Sequence, residues 1–245
     1  MSNISRIEWT ESSWNPITGC TKISSGCNNC YAEKMANRLK MMGSKNYMNG
    51  FKLTCHNHVL NAPLLWKKPR MIFVCSMSDL FHNDVPDNFI INIFDVIKNA
   101  YWHTFQILTK RSERFAIFTN KYGFPSNAWA GVTVENSEVM FRAEHLRQIP
   151  AKIRFISAEP LISSIKNINL KDINWVVAGG ESGANARPLL IDWAREIRDK
   201  CVDENVSFFF KQWGGTNKKI SGRTLDGKIW NEMPKYTTNI KSFIK

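Results

Sequence analysis

Residues 71–79 read Met71-Ile72-Phe73-Val74-Cys75-Ser76-Met77-Ser78-Asp79, an apolar run that ends in polar residues. A short apolar run of this kind is typical of a strand buried on both faces of a parallel sheet. Five further runs of the same form follow along the chain, at residues 104–108 (TFQIL), 128–132 (AWAGV), 153–156 (IRFI), 173–178 (INWVVA) and 206–210 (VSFFF). The pattern predicts a parallel sheet whose strands all end in polar tips.

Amphipathic helical patterns separate these runs, at residues 31–42, 86–102, 111–122, 136–148 and 188–204. Residues 160–170 carry only a weak helical pattern. Alternating strands and helices predict one α/β domain. Because polar tips recur after every strand, and barrel strands carry chemistry at their carboxyl ends, we expect a full or partial (β/α) TIM-like barrel of about six to eight parallel strands.

The barrel is expected to occupy residues 1–215, with an irregular basic insertion at about residues 43–69. Residues 216–245 are expected to form a basic C-terminal extension with a hairpin near residues 225–228. The chain carries no apolar run of membrane-spanning length, and its first residues lack the form of a signal peptide. We therefore expect a cytoplasmic protein without a membrane partner, in which cysteines stay reduced.

Charge is unevenly distributed in this chain of net charge +12. Residues 34–70 contain eight basic and no acidic residues, and residues 211–245 contain eight Lys or Arg against two acidic residues. Aromatic residues lie among these cations, a composition that suits contacts to phosphates and stacking on bases. We expect a nucleic-acid partner, although a generally basic surface would have the same composition.

Three of the six cysteines lie in residues 19–31, GCTKISSGCNNCY, with the spacing C-x6-C-x2-C. Thiols placed this closely in a reduced compartment predict a metal site with Cys20, Cys27 and Cys30 as ligands. A structural zinc site needs a fourth ligand, which Cys55, His56 or His58 could supply. The position of the loop between a strand and a helix, at the face where the strand tips meet, favours instead an iron–sulfur cluster with one open iron.

The strand tips supply candidate ligand-binding residues, namely Ser76, Ser78, Asp79, Lys110, Glu135, Glu159, Gly179, Gly180, Glu181, Ser182 and Lys211. Carboxylates and cations together can hold a zwitterionic or phosphate-bearing ligand. Gly179 and Gly180 permit close approach of a backbone, and Glu181 can accept hydrogen bonds from an amine or a ribose. Each tip residue could equally cap a helix or form an ion pair. The motifs of P-loop hydrolases, dinucleotide-binding folds and HExxH proteases are missing from the sequence, and it assigns no catalytic residue.

Seven motifs in order, including IEWTESSWNPITGCTKISSGCNNCYAE, FVCSMSDLFH, RFISAEPL and VVAGGESGANARP, resemble a phage and bacterial family of unknown function whose members are described as phage or three-Cys-motif proteins. That family resembles a divergent branch of the radical S-adenosylmethionine (SAM) enzymes. The resemblance implies a [4Fe-4S] cluster on the three loop cysteines, with SAM on the open iron and cleaved reductively to a hydrogen-abstracting 5′-deoxyadenosyl radical. It also implies a partner protein that carries a three-Cys motif.

The sequence departs from the radical SAM pattern in two respects. The radical SAM spacing is C-x3-C-x2-C with an aromatic residue before the third cysteine, whereas here Asn29 precedes Cys30 and Tyr31 follows it. The GGE sequence at residues 179–181 is similar to the motif that holds the SAM amino group, but it follows a late strand instead of the second one.

Three functional hypotheses follow. The first is a radical SAM-type enzyme that acts on a nucleic acid or nucleotide by hydrogen abstraction. The second is a zinc-stabilised nucleic-acid-binding protein without catalysis. The third is an iron–sulfur redox protein that does not use SAM.

Overall fold

The computed structural model describes residues 7–217 and 222–234. In chain order its strands are β1 (Ser12–Trp14), β2 (Ile17–Thr18), β3 (Thr54–Cys55), β4 (Met71–Val74), β5 (Thr104–Thr109), β6 (Ala128–Thr133), β7 (Arg154–Ala158), β8 (Trp175–Gly179), β9 (Ser207–Gln212), β10 (Thr224–Leu225) and β11 (Lys228–Ile229). Its α-helices are α1 (Tyr31–Met41), α2 (Asp87–Asn99), α3 (Ser112–Tyr122), α4 (Arg142–Arg147) and α5 (Ile191–Asp203).

Seven strands form one parallel sheet in the order β1-β4-β5-β6-β7-β8-β9. Every neighbouring pair is parallel, and α2 to α5 lie in the connections between its strands. β1 and β9 are the two edges of this order, so the sheet forms a half-barrel. The predicted partial (β/α) barrel is thereby confirmed, and across residues 7–217 and 222–234 the sheet does not close into a full barrel.

The two faces of the sheet bury different side chains, because successive residues of a strand point to opposite faces. The outer face contributes to the main hydrophobic core with the helices, through residues such as Ile72, Val74 and Phe105. The inner face carries a separate aromatic cluster that includes Trp9, Phe73, Trp129, Phe155, Trp175 and Phe209. The Trp175 ring lies 5.8 Å from Trp9 and 5.9 Å from Trp129, centroid to centroid. Aromatic packing therefore fills the concave side.

Two connections differ from the predicted helices. The pattern at residues 136–148 forms a single 3-10 turn, Ser137–Val139, followed by the short α4. Residues 160–170 form no helix, because their backbone bonds to the strand tips. The amide of Leu161 donates to the Gly179 carbonyl at 2.9 Å, and that of Ile162 donates to the Glu135 carbonyl at 2.9 Å.

The insertion at residues 43–69 is more ordered than predicted. Its strand β3 pairs antiparallel with β2 in a small second sheet, and Trp14 Nε1 donates to the Val59 carbonyl at 3.0 Å. Apolar residues such as Leu53 and Leu64 pack against the main core, so the segment covers the sheet edge instead of only crossing the surface.

β10 and β11 form the predicted hairpin, with Asp226 and Gly227 at positive φ in its turn. Residues 218–221 and 235–245, half of the predicted C-terminal extension, lie outside the described residues. None of the helices in the described ranges has the length and apolar character that a membrane span requires.

Replacing Gly131 by alanine is expected to lower the free energy of unfolding by about 1–3 kcal/mol. A Cβ at this position would lie 2.2–2.5 Å from three ring carbons of Phe155. Phe155 is fully buried and packs on Trp175 at 5.6 Å between centroids, so the ring has little room to move. Urea denaturation would measure the loss, and the double variant Gly131→Ala/Phe155→Leu should recover part of it. An unchanged midpoint for Gly131→Ala would contradict this packing argument.

Candidate metal and cofactor site

The cysteine loop is anchored at the carboxyl edge of the sheet, beside the end of β4. Gly19 donates its amide to the Met77 carbonyl at 3.0 Å, and Ser78 Oγ donates to the Gly19 carbonyl at 2.5 Å. Gly19 has φ +81°, and a Cβ there would lie 2.3 Å from the Lys52 carbonyl oxygen. Only glycine therefore fits where the loop leaves β2.

The three loop cysteines are partly exposed free thiols. Cys27 closes a 3-10 turn, Ser25–Cys27, and Cys30 directly precedes α1. Burial, with the charge of Asp79, raises the pKa of the Cys20 thiol, while the Arg111 guanidinium opposes that rise. A bound cation would reverse this balance by favouring the thiolate.

Asp79 joins the tips of β4 and β5. Its Oδ1 accepts hydrogen bonds from the Phe81 amide at 3.0 Å and from Thr109 Oγ1 at 2.6 Å. Its Oδ2 accepts from the Lys110 amide at 3.1 Å and from Arg111 Nη1 at 3.0 Å. The predicted ligand residue Asp79 thus has four protein donors, and the role it plays in the structure is to hold Arg111.

Arg111 contacts both Asp79 and the first cysteine of the loop, Cys20. Its Nη1 lies 3.5 Å from Cys20 Sγ, and its Nη2 donates to the carbonyl and the hydroxyl of Thr21 at 3.1 and 3.0 Å. The guanidinium and the Asp79 carboxylate are both largely buried, at 8% and 9% side-chain exposure. The start of the loop is therefore fixed by a shielded ion pair.

Glu135, after β6, holds the middle of the loop. Its side chain is fully buried and pairs with Arg142 Nη1 at 2.8 Å, and the Ser24 hydroxyl donates to its Oε1. A Cβ on Gly26 would lie 2.8–2.9 Å from the Glu135 carboxyl group. The glycine therefore lets the loop backbone lie against this carboxylate.

Glu181, after β8, holds the end of the loop. It accepts hydrogen bonds from Asn29 Nδ2 at 2.8 Å and from the amide, Nε and Nη2 of Arg187 at 2.9, 3.0 and 2.5 Å. Arg187 also donates from Nη1 to the Ser25 carbonyl at 2.9 Å. Burial acts to raise the pKa of Glu181, but the hydrogen bonds from Arg187 and Asn29 outweigh it and lower that pKa to about 2.

Because the ordinary pKa of this glutamate is 4.5, the Glu181 contacts should stabilise the fold fully above about pH 4.5 and less as the pH falls toward 2. The shift corresponds to about 3 kcal/mol. We expect the difference in unfolding free energy between wild type and Glu181→Gln to shrink over this interval. Denaturant midpoints from pH 7 to pH 2 would measure it, with the exposed Glu113→Gln as control. A difference that is constant with pH would contradict the assignment.

Glu159 and Lys211 form a further ion pair at the same edge, between the tips of β7 and β9. Lys211 Nζ lies 2.5 Å from Glu159 Oε2, and both side chains are partly buried, at 19% and 15% exposure. The sequence predicted both residues as ligand contacts. The structure places them at the carboxyl edge as a paired cation and carboxylate.

Gly179 and Gly180, at the end of β8, leave room for the backbone at the end of β9. A Cβ on Gly180 would lie 1.9 Å from the Trp213 carbonyl oxygen, and one on Gly179 would lie 3.4 Å from that of Gln212. Ser182 Oγ accepts a hydrogen bond from Gln212 Nε2. Close packing of two strand tips therefore explains Gly180, and the ligand-binding role of all three residues stays a prediction.

Ser76 and Ser78 bind the loop region instead of projecting freely. Ser76 Oγ donates to Asn15 Oδ1 at 3.1 Å, and the Ser76 carbonyl accepts from the Tyr31 hydroxyl at 2.5 Å. Lys110 lies half-buried beside Asp79. The eleven predicted cofactor residues thus share one edge of the sheet, where their ligand roles stay predictions.

The residues proposed as a fourth zinc ligand have other partners. His56 Nε2 lies 2.8 Å from Thr18 Oγ1, and His58 Nε2 lies 3.0 Å from Asn46 Oδ1, while Cys55 packs against the main core. Across residues 7–217 and 222–234, no three His, Cys, Asp or Glu side chains are grouped in metal-binding geometry.

In residue type and number, the cysteine loop fits an iron–sulfur cluster. It offers three thiols that are partly exposed and free of disulfides. Three carboxylate–arginine pairs hold its start, middle and end against the tips of the sheet. Rotation of the thiol side chains would have to complete the binding geometry. The loop backbone is already held in place.

Sequence reasoning missed four of the residues that hold the loop, namely Ser24, Asn29, Arg142 and Arg187. Arg142 resembles any cation on an amphipathic helix, and no pattern in the sequence pairs it with Glu135. Arg187 gave a weak signal, since it follows Glu181 by six residues and precedes a proline.

Fold and site define an α/β half-barrel protein with a three-cysteine loop at the carboxyl edge of its parallel sheet. The chain belongs to the family described as "Protein of unknown function (DUF5131)", whose model matches residues 4–234. No curated protein matches the chain.

Solved structures of spore photoproduct lyase have a similar fold. The complex with dinucleoside spore photoproduct has a TM-score of 0.52 at 10% identity, and a mutant has 0.52 at 11%. A mutant with bound AdoMet and dinucleoside spore photoproduct has 0.50 at 10% identity. Each match covers 82% of this chain but only 63% of the lyase chain. At this identity the likeness establishes the fold.

Proposed function

We propose that this chain is a radical SAM-type enzyme, with a [4Fe-4S] cluster on Cys20, Cys27 and Cys30. The observation that carries the proposal is the position of the three-cysteine loop, which is held at the carboxyl edge of a parallel half-barrel by three buried or partly buried ion pairs. In (β/α) barrels this edge is where chemistry takes place. AdoMet in a lyase structure of similar fold supports the same cofactor here.

When bound, the cluster and SAM would supply reductive cleavage and hydrogen abstraction, which protein side chains cannot perform. The chain's own residues have the tasks of binding and orientation. Cys20, Cys27 and Cys30 would bind the cluster, and Arg111 lies beside Cys20 Sγ, where its positive charge stabilises a thiolate.

Glu159 and Lys211 are suited to orient a zwitterion. Their carboxylate and ammonium are partly exposed at the edge of the sheet, so they could exchange their mutual ion pair for the amino and carboxylate groups of SAM. Glu181 is less suited, since its carboxylate already has four donors. Glu159 and Lys211 would therefore hold the SAM amino acid group, and Gly179 lies against the Lys211 side chain.

We propose a nucleic acid or nucleotide as the substrate. The net charge of +12 and the acid-free stretch at residues 34–70 support an anionic partner. The lyase complex with a dinucleoside photoproduct supports the same substrate class. A protein partner with a three-Cys motif stays a prediction from the sequence resemblance.

The test is anaerobic reconstitution with iron and sulfide, followed by analysis of iron, sulfide and zinc and by spectra with and without SAM. The proposal expects a brown protein with about four irons per chain and a spectrum that changes when SAM is added. One zinc per colourless chain would favour the zinc-stabilised binding protein. A cluster whose spectrum ignores SAM would favour the redox protein.

A further inference from the structure

The cations of residues 34–70 lack carboxylate partners. Within the described residues none of them has an Asp or Glu oxygen within 4.0 Å, whereas eleven cations elsewhere do. The undescribed residues contain no Asp or Glu that could compensate. The eight are Lys34, Arg38, Lys40, Lys45, Lys52, Lys67, Lys68 and Arg70. Their charge is therefore open to an external anion.

Helix α1 presents part of this charge beside exposed apolar side chains. It buries Ala32 and Ala36 against Met77. On its outer side Met35 and Met41 are 42% and 82% exposed, and Met42, directly after the helix, is 68% exposed. All three methionines, like Lys34, are three or four residues from Arg38 and therefore lie on its side of the helix. Such exposed apolar side chains need a reason when they recur on one face.

This face adjoins the cysteine loop. α1 begins at the residue after Cys30, and Tyr31, at its first position, is 54% exposed. Lys34 Nζ lies 3.6 Å from the position of a Cβ on Gly183, just after Glu181. The surface is thus continuous with the edge where the sheet tips meet.

We propose that a single-stranded nucleic acid binds along this α1 surface, defined as Tyr31, Lys34, Met35, Arg38, Met41, Met42, Lys45 and Met48. Lys34, Arg38 and Lys45 contact phosphates, while the methionines and Tyr31 contact base and sugar faces. Mixed charge and apolar surface favours a single strand over a duplex, because a duplex hides its base faces. This inference rests on the proposed function only for the reaction that the bound strand would undergo, because strand binding itself does not require the cluster.

Fluorescence anisotropy with a labelled 20-nucleotide single strand tests the assignment on the full chain. The triple variant Lys34→Ala/Arg38→Ala/Lys45→Ala should bind at least about tenfold more weakly and lower the slope of log K against log salt by about 2, at roughly 0.7 per cation. The control triple Lys121→Ala/Lys152→Ala/Lys171→Ala removes the same charge from exposed lysines elsewhere and should change affinity less than about twofold. Thermal melts confirm that both variants fold.

Replacing Met35 and Met42 by serine separates the apolar contribution. This variant should weaken single-strand binding while leaving the salt slope unchanged, and the wild type should prefer the single strand to its duplex.

Equal losses of affinity in the Lys34/Arg38/Lys45 triple variant and in the control triple variant would overturn the assignment. Displacement of the strand by polyglutamate at equal charge would also overturn it, because it would indicate an acidic protein as the occupant. A wild-type protein that cleaves SAM but does not bind the single strand would refute this surface alone. A wild-type protein that binds the strand but does not cleave SAM would refute the proposed function alone.

Discussion

Replacing Arg142 by alanine is expected to destabilise the fold by about 3–5 kcal/mol, because it leaves the Glu135 carboxylate buried without its cation. Glu135 has no exposed side-chain surface, and Arg142 is only 3% exposed. Arg142 also donates to the Thr133 carbonyl at 2.8 Å, so the variant removes a hydrogen bond from the end of β6 as well. The effect should appear as a lower denaturant midpoint and as faster proteolysis of the cysteine loop, since Ser24 is bound to Glu135.

The matched control is Arg38→Ala, the same substitution on an exposed helical residue without a carboxylate partner. It should change the unfolding free energy by less than about 0.5 kcal/mol. Combining Arg142→Met with Glu135→Gln removes both charges and should recover part of the loss. If Arg142→Ala were no more destabilising than Arg38→Ala, burial of the Glu135 carboxylate would not depend on its ion pair with Arg142.

Replacing Cys27 by serine is expected to reduce bound iron after anaerobic reconstitution from about four atoms per chain to almost none. A cluster held by three thiolates loses a third of its protein ligands, and a serine hydroxyl is a poor substitute at neutral pH. Cys20→Ser and Cys30→Ser should behave in the same way. Iron and sulfide analysis with the visible spectrum would measure the loss.

Cys55→Ala is the control for cysteine content, because Cys55 is partly buried against the main core and outside the loop. It should retain the full cluster. Retention of iron by Cys27→Ser, or loss of metal from Cys55→Ala, would show that the ligand set differs from the three loop cysteines.

The general position of the site could be predicted from sequence because it depends on short-range patterns. The apolar run at residues 71–77 and its successors indicated buried parallel strands, and parallel strands place their following residues at one edge. The spacing of Cys20, Cys27 and Cys30 indicated a metal loop without any three-dimensional information. These two signals together predicted where the loop and the strand tips would meet.

The role of each tip residue could not be predicted, because it depends on long-range partners. Asp79 and Glu181 are carboxylates at strand tips, as ligand-binding residues often are, and in the structure each binds an arginine that holds the loop. Gly180 suggested approach to a ligand, whereas the Trp213 carbonyl is the backbone that lies against it. Similarly, the backbone bonds of Leu161 and Ile162 to the strand tips replaced a helix that the sequence predicted weakly.

A SAM-cleaving cluster on the cysteine loop can be detected by its product: the reconstituted protein is incubated anaerobically with SAM and a strong reductant, and 5′-deoxyadenosine is measured by chromatography. We expect 5′-deoxyadenosine from the wild type and from Cys55→Ala, and none from Cys27→Ser. A protein that holds about four irons and forms no 5′-deoxyadenosine, or one that holds a single zinc, would contradict it.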